Sequence, residues 1–203
     1  MPSSVPGATA ARHEVRPRLA VLLSGGGRTL VNLVGRIRQG RLAAEIVCVI
    51  ADRPQALGLV RAQEAGIDHE CLRDNAAIWE RIRRAGADMV LLCGYLRLLP
   101  IDPQFVGRVL NIHPSLLPAY GGKGMHGHHV HEAVLAARES ESGCTVHQCT
   151  DEYDRGPIVL QQRVPVLPID TPDTLAARVF AAECEAYPQA IESRWRELAA
   201  SPR

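Results

Sequence analysis

The sequence predicts an α/β protein with a doubly wound, mostly parallel sheet that is flanked by helices. Two observations lead to this fold class. Short apolar runs alternate with segments of helical spacing along nearly the whole chain. The runs are continuously apolar, which is typical of strands that helices cover on both faces. Alternation of such strands with helices is the pattern of the doubly wound class.

The first elements are the clearest. Residues 18–24 (RLAVLLS) read as a buried strand, and three glycines then lead into a helix at residues 28–38. Residues 45–51 (EIVCVIA) form the second predicted strand. Residues 55–65 suit a helix, because Gly66 can end it in a left-handed conformation.

The middle of the chain continues the alternation. A short strand is predicted at residues 68–72, and a helix at residues 75–84 because Ile78 and Ile82 lie four residues apart on one helical face. Residues 88–93 (DMVLLC) form another predicted buried strand.

The remaining strands surround one more helix. Residues 108–113 read as a strand, residues 130–138 as a helix, and residues 145–149 and 158–166 as two further strands. The chain then shows the signals of a helix start. Thr171 is expected to be its cap, Pro172 suits its first turn, and further along Pro188 is expected to kink or break it.

Composition favours one globular domain. The chain has 203 residues, of which 46% are hydrophobic and 22% charged, with a net charge of +1. This charge predicts no nucleic-acid surface, and no apolar run approaches the ~20 residues of a membrane span. We expect no nucleic-acid or membrane partner, and either a monomer or a homodimer.

The cysteines and the N-terminal segment point to the cytoplasm. The six cysteines include no C-x-x-C pair, and Cys48 and Cys93 lie in apolar runs, as buried free thiols do. Reduced cysteines indicate a cytoplasmic protein. Residues 1–16 lack the apolar stretch of a secretory signal, so we predict a flexible tail there and a single domain at residues 17–203.

Ligands of doubly wound sheets bind outside the carboxyl ends of the strands. The candidate loops therefore follow Ser24, Ala51, Cys93, His113 and Cys149.

The first loop, SGGGRTL, suits an anion. Its glycines, Gly25, Gly26 and Gly27, allow backbone N–H groups to approach a phosphate, and the following helix dipole favours negative charge. Arg28 adds a positive charge. The loop matches neither the dinucleotide fingerprint nor the Walker loop, and a tight turn without a ligand is the alternative.

Asn111 and His113 lie two residues apart at a predicted strand end, in the run RVLNIHPSLLP. Residues i and i+2 of a strand share one face, so both side chains point the same way. An amide and an imidazole together can hold an oxyanion and exchange a proton. Asp151, Glu152 or Asp154 could orient the histidine and raise its pKa. The alternative is a turn cap beside a buried histidine with satisfied hydrogen bonds.

A histidine-rich segment, GMHGHHVHE, contains His126, His128, His129 and His131. Their spacing matches neither H-E-x-x-H nor a paired Cys/His motif, so we expect no metal. We predict a loop at residues 126–131 that enters a helix, and nearby glycines would let it close over a ligand.

Three stretches, NIHPSLLPAY, SGCTVH and DEYDRGPIVLQQ, resemble the glycinamide ribonucleotide formyltransferases of purine synthesis. SGGGRTL, VIADRP and GYLRLLP follow in the same family's order, and the similarity covers about residues 18–195. The resemblance implies a Rossmann-like formyltransferase fold. It also implies that 10-formyltetrahydrofolate is the cosubstrate and that the amine of 5-phosphoribosylglycinamide accepts the formyl group.

The resemblance also implies catalytic roles. In the family, the residue matching His113 is the general acid, the one matching Asn111 hydrogen-bonds the formyl oxygen, and the one matching Asp154 raises the histidine pKa. These roles agree with the chemistry, because amine attack builds an oxyanion and the folate nitrogen leaves poorly unless it is protonated.

Binding residues follow from the same resemblance. The nucleotide phosphate is assigned to Gly25, Gly26, Gly27, Arg28 and Thr29. The family usually reads Gly-Ser-Asn-Leu where residues 27–30 read GRTL, so the backbone donors remain while the asparagine contacts are lost. Glu183 matches a family glutamate that contacts the nucleotide, and a solvated helix glutamate is the alternative. The predicted folate-binding residues are Arg73, Leu96, Arg97, Leu98, Leu99, Asn111, Thr150 and Asp151.

Other functions remain possible at this stage. A methionyl-tRNA formyltransferase usually has a further C-terminal domain, so we do not expect that activity. A formyltetrahydrofolate hydrolase usually has a further N-terminal domain but shares this core, and it stays an alternative. Because Arg28 and Thr29 depart from the family's usual residues, a different sugar-phosphate amine is an alternative acceptor. A non-catalytic nucleotide-binding module would not need Asn111, His113 and Asp154 together.

Overall fold

The structure, a computed structural model, describes residues 16–200 and is built on a seven-stranded sheet. The strands are β1 (Arg18–Leu23), β2 (Glu45–Ala51), β3 (His69–Cys71), β4 (Met89–Leu92), β5 (Val109–His113), β6 (Glu141–Gln148) and β7 (Ile158–Pro165). They lie in the order β3-β2-β1-β4-β5-β6-β7. The first five are parallel, whereas β6 and β7 are antiparallel to their neighbours. The predicted doubly wound, mostly parallel fold is confirmed.

Helices cover both faces of this sheet. They are α1 (Arg28–Arg38), α2 (Leu57–Glu64), α3 (Asn75–Arg84), α4 (His128–Ala136) and α5 (Pro172–Ala200). Residues of α1, α2, α4 and α5 pack on one face, and α3 packs on the other with a 3-10 turn at Pro103–Phe105. In β1, Leu19, Val21 and Leu23 join the first layer, whereas Ala20 and Leu22 join the second. Burial on both faces explains why the strand sequences are continuously apolar.

Several boundaries agree with the prediction and others differ. Helices α1 and α3 and strand β2 have the predicted bounds. Helix α4 begins at His128, two residues before the predicted start. Strand β6 begins at Glu141 instead of residue 145, because its first residues pair with the end of β7, where Glu141 faces Pro165.

Helix α5 continues through Pro188, so the predicted break is wrong. The neighbouring residues Tyr187, Ala190 and Ile191 are fully buried against the sheet. The Tyr187 hydroxyl also lies 2.9 Å from the carbonyl oxygen of Leu110, to which it donates. Packing and this hydrogen bond stabilise the helix at the proline.

Two other predictions concern the ends and the thiols. The predicted tail lies outside the described residues, apart from Arg16. All six cysteines are free, and Cys48 and Cys93 are buried as predicted. Between residues 16 and 200, no helix has the length and apolar character needed to span a membrane.

Candidate active site

A cavity of about 440 Å³ lies beyond the ends of β4 and β5, and Asn111 and His113 both line it. This volume is typical of small-molecule sites. The two side chains thus face the same space, as strand alternation predicted. Asp154 lines the same cavity, so the structure brings the three predicted catalytic residues together.

His113 is buried, and both of its ring nitrogens have defined neighbours. Nε2 lies 2.8 Å from the carbonyl oxygen of Tyr120, and Nδ1 lies 3.6 Å from Oδ2 of Asp154. A carbonyl oxygen only accepts hydrogen bonds, so Nε2 carries the hydrogen of the neutral ring. The lone pair is therefore on Nδ1, next to the carboxylate.

The turn after β5 places the Tyr120 carbonyl. Thr145 Oγ1 donates to the carbonyl of Ser115 at 2.7 Å and accepts from the N–H of Leu117 at 3.0 Å. Gln161 Nε2 donates to the Leu117 carbonyl at 2.9 Å. Side chains from β6 and β7 thus hold the turn in place. The turn positions the Tyr120 carbonyl, which determines the tautomer of His113.

Asp154 reaches the cavity from the loop between β6 and β7. Because β6 is antiparallel to β5, this loop starts at the opposite end of the sheet, where the N–H of Cys149 donates to Val109. The carboxyl-end rule that selected the loop is therefore wrong for this strand. The loop folds back, and Asp154 adopts φ 56° and accepts from the N–H of Gly122 at 2.9 Å. Aspartate is one of the few side chains that tolerate this left-handed conformation.

Asn111 is held by two neighbours. Its Nδ2 donates to Nε2 of His147 at 3.1 Å and to Oδ1 of Asp154 at 3.3 Å. The other ring nitrogen of His147 donates to the carbonyl of Gln148 at 3.0 Å, and Nε2 also lies 3.4 Å from Oδ1 of Asp154. Both amide hydrogens of Asn111 are therefore engaged, and an incoming oxygen must take the place of one partner.

The pKa of His113 is lower than its usual value. Burial is the main cause, and His147 adds to it, whereas Asp154 and the Tyr120 carbonyl act in the opposite direction. The expectation that Asp154 favours protonation is correct for that pair. The net pKa of His113 is nevertheless lowered, because the effect of burial on the ring is larger than the opposing effect of the Asp154 carboxylate. His113 is therefore neutral near pH 7 in the ligand-free chain.

The pKa of Asp154 lies below its usual value. Burial favours the neutral acid, but contacts with His147 and His113 and the hydrogen bond from Gly122 together outweigh it. Asp154 is therefore a carboxylate at neutral pH, ready to stabilise a cation at His113.

The glycine loop leaves room for a ligand. Gly27 precedes α1 with φ 71°, and a β carbon there would lie 2.8 Å from Cα of Gly58. Only glycine allows this approach of the loop to α2. By contrast, a β carbon on Gly25 or Gly26 would meet nothing within 4 Å. The predicted phosphate loop is therefore tightly anchored at one end and open at the other.

The predicted nucleotide side chains separate into two groups. Thr29 and Glu183 line the cavity that contains His113. Arg28 instead stacks on Phe180, with its guanidinium carbon 3.8 Å from the ring centroid, beside a second cavity of about 690 Å³. The Arg28 side chain is thus not among the residues that line the main cavity.

Glu183 has an unusual acidity. Burial raises the pKa of its carboxyl group to about 7, and the positive charge of Arg28 only partly opposes this shift. A carboxyl group in this environment changes its charge near neutral pH.

Most of the predicted folate residues line the cavity. These are Leu96, Arg97, Leu98, Leu99, Asn111 and Thr150. Two predicted residues do not line it. The carbonyl of Arg73 accepts from the side chain of Arg97, and Oδ1 of Asp151 accepts from the N–H of Ile101 at 2.9 Å. Arg73 and Asp151 therefore hold the segment between Arg97 and Ile101 in place without lining the cavity.

The histidine-rich segment divides between the cavity and a helix. Residues 122–127 line the cavity, including His126, whereas His128 begins α4. His128 lies 3.5 Å from Asp173, and His131 is buried. Within the described part of the chain, no group of three or more His, Cys, Asp or Glu side chains is placed to hold a metal.

Sequence reasoning missed several groups at this site. His147, the Tyr120 carbonyl and the Gly122 N–H all contact the predicted trio. His147 could have been found from the strand pairing, because it lies directly opposite Asn111 in β6. That pairing needs the antiparallel register, which the sequence pattern did not reveal.

The chain is similar in sequence to known formyl transferases. The family model for formyl transferases matches residues 17–191. Phosphoribosylglycinamide formyltransferase of Haemophilus influenzae is 36% identical over 86% of this chain and 85% of that protein. The trifunctional purine biosynthetic protein adenosine-3 of Drosophila melanogaster is 39% identical over 87% of this chain. The aligned part spans only 14% of that longer protein.

Solved structures show the same relationship. The crystal structure of glycinamide ribonucleotide transformylase 1 from Symbiobacterium toebii superposes with a TM-score of 0.79. The two chains are 39% identical, and the match covers 87% of this chain and 86% of the other. Both the fold and the sequence therefore point to one group of proteins.

Proposed function

Because the chain belongs to the formyl transferase family, we propose that it transfers a formyl group from 10-formyltetrahydrofolate to the primary amine of 5-phosphoribosylglycinamide, a step of purine synthesis. One observation carries the proposal. Asn111, His113 and Asp154 meet in one cavity that also reaches Thr29 at the glycine loop and the segment at residues 96–99. Two binding regions therefore adjoin one set of reactive groups.

The cavity lining suits both substrates. The leucines at 92, 96, 98 and 99 give it an apolar wall for a flat heterocycle, and Thr150 adds a polar group. The open side of Gly25 and Gly26, together with the start of α1, suits a phosphate. The bound folate supplies the formyl group as an amide whose nitrogen becomes the leaving group.

We assign stabilisation of the reacting oxygen to Asn111. Its Nδ2 is oriented by His147 at 3.1 Å, whereas its contact with Asp154 is longer, at 3.3 Å. We expect the formyl oxygen to take the place of one of these two acceptors. An amide donor held in place before the reaction is suited to the negative charge that develops on that oxygen.

We assign the proton transfer to Nδ1 of His113, because the Tyr120 carbonyl occupies Nε2. A neutral ring can accept a proton from the attacking amine at Nδ1. The resulting cation lies 3.6 Å from the carboxylate of Asp154, which stabilises it. The histidine then delivers the proton to the departing nitrogen as the C–N bond breaks, so it acts first as a base and then as the general acid.

The test is an assay of the purified chain with 10-formyltetrahydrofolate, with and without 5-phosphoribosylglycinamide. We expect tetrahydrofolate to form only when the amine is present. His113→Ala should lower kcat by about a thousandfold, since it removes the proton carrier. His129→Ala is the matched control, because His129 is an exposed histidine of α4 and should leave kcat unchanged.

Two outcomes would contradict the proposal. Tetrahydrofolate release without the amine would indicate a hydrolase. A His113→Ala variant with the wild-type rate would leave the reaction without its proposed proton carrier.

The cellular setting stays a prediction. The free cysteines favour a reducing compartment, and hence the cytoplasm. We also propose that the chain acts on small molecules without a nucleic-acid or membrane partner, as a monomer or a homodimer.

A further inference from the structure

Helix α5 contains a carbonyl that has lost its helical partner. In an α-helix each N–H donates to the carbonyl four residues earlier, so the carbonyl of Cys184 should pair with residue 188. Pro188 has no N–H, and it is buried within the helix. A carbonyl inside a packed helix that cannot pair is costly, so it needs a donor from elsewhere.

Asn32 supplies that donor from a different helix. Its Nδ2 lies 3.0 Å from the carbonyl oxygen of Cys184, to which it donates. Asn32 belongs to α1 and is half-buried. The hydrogen bond therefore joins α1 to α5 at the position where α5 lacks its own.

Both residues of this hydrogen bond are close in sequence to Thr29 and Glu183, and we call the part of the cavity wall formed by Thr29 and Glu183 the nucleotide end. Cys184 directly follows Glu183, and Asn32 lies three residues after Thr29, about one helical turn. Thr29 and Glu183 are the two residues that bring α1 and α5 to the cavity wall. One amide thus connects the two helical walls that would face the nucleotide.

The other contacts between α1 and α5 are less suited to set this spacing. Arg36 pairs with Glu185, whose side chain is 52% exposed. Exposed ion pairs are screened by water and tolerate several geometries. Arg28 stacks on Phe180, and both line the second cavity together with Asn32, so this contact holds the first turn of α1 and not the turn of α5 at Cys184. The bond from Asn32 is the contact next to Glu183.

We propose that Asn32 is a positioning residue for the nucleotide substrate. It holds the turn of α5 that carries Glu183 against α1, through the carbonyl that Pro188 leaves free. The inference rests on the proposed function, because it requires Glu183 and the start of α1 to face the nucleotide. It applies to binding of the amine substrate and leaves the folate end of the cavity unaffected.

The test is a double-mutant cycle of Asn32→Leu and Pro188→Ala. Asn32→Leu removes the donor and keeps water from the carbonyl, and we expect KM for 5-phosphoribosylglycinamide to rise about tenfold. KM for 10-formyltetrahydrofolate should stay within about twofold. In the double variant the alanine restores the helical N–H, so KM for the nucleotide should return to within about twofold of wild type. Pro188→Ala alone should have little effect.

Arg36→Gln is the matched control, since it breaks another polar contact between the same two helices, whose Glu185 side chain is half-exposed. It should leave both KM values unchanged. If circular dichroism shows that Asn32→Leu is poorly folded, Asn32→Ala takes its place in the same cycle.

Each result decides a separate point. If the wild type is active and Asn32→Leu has the same KM for the nucleotide, this inference is wrong while the proposed function stands. A rise in KM that Pro188→Ala does not reverse would also overturn it, because the effect would not act through the Cys184 carbonyl. A folded wild type that does not formylate the amine would overturn the proposed function, and this inference with it.

Discussion

The surroundings of His113 and those of the glycine loop differ in how closely they are packed with neighbouring groups. At the reacting end, His113, Asn111 and Asp154 are held by one another and by backbone groups. At the glycine loop, which reaches the cavity through Thr29, a β carbon on Gly25 or Gly26 would meet nothing within 4 Å. The groups around His113 are therefore preorganised, whereas the proposed function requires the nucleotide to complete the region at Thr29 and Glu183. Changes at the first should affect kcat, and changes at the second should affect KM or pH dependence.

The largest expected effect comes from Asp154→Asn, which tests whether the reacting end depends on charge. The variant keeps the shape, and asparagine also tolerates the left-handed backbone at φ 56°. It removes the anion that stabilises a protonated His113, and we expect kcat to fall by about a thousandfold with little change in either KM. Steady-state kinetics with each substrate varied in turn gives both parameters.

Asp151→Asn is the matched control, because Asp151 lies in the same loop and accepts from the N–H of Ile101 instead of facing the cavity. It should retain nearly all of the wild-type kcat. Retention of more than a tenth of kcat by Asp154→Asn would show that the carboxylate charge is not required.

A smaller effect is expected from Thr145→Val, which tests how firmly the turn holds the reacting end. Thr145 is fully buried and bonds to both Ser115 and Leu117. Valine has the same shape but leaves these backbone groups unpaired, and we expect the free energy of unfolding to drop by about 2 kcal/mol. Urea denaturation measures this change.

Gln161→Leu sharpens the result, because Gln161 donates both to Thr145 Oγ1 and to the Leu117 carbonyl. Residues of one network are not additive, so the double variant should lose less stability than the sum of the two single ones. Simple additivity would argue against a connected network behind the Tyr120 carbonyl.

The third prediction concerns the pH dependence of stability and the acidity of Glu183. Burial raises its pKa from 4.5 to about 7, so the folded chain keeps a proton that the unfolded chain releases in this range. The free energy of unfolding should therefore decrease as the pH rises from about 4.5 through 7, by up to about 3 kcal/mol. Glu183→Gln removes the titrating group and should flatten this part of the curve.

Urea denaturation at pH 5 and pH 8 measures both curves. Equal pH dependence in Glu183→Gln and wild type would show that Glu183 is not the group that titrates.

The fold and the meeting of Asn111, His113 and Asp154 in one cavity could largely be predicted, because they depend on local patterns. Continuous apolar runs identify buried strands, and the two-residue spacing of Asn111 and His113 places both side chains on one face. The family resemblance added Asp154. None of these inferences needs to know how distant strands pair.

What could not be predicted depends on long-range geometry. His147 meets Asn111 only through the antiparallel register of β5 and β6. The net fall in the pKa of His113 reflects how much water the whole fold excludes from the ring. Helix α5 passes through Pro188 because of burial and a donor from α1, neither of which is local in sequence.

The most direct test of the central claim follows the formyl carbon itself. The purified chain is incubated with 10-formyltetrahydrofolate labelled with carbon-13 in the formyl group, together with 5-phosphoribosylglycinamide, and the products are separated and analysed by mass spectrometry. We predict that the label appears on the amine of the nucleotide, in an amount equal to the tetrahydrofolate formed. Recovery of the label as free formate, with an unmodified nucleotide, would contradict formyl transfer.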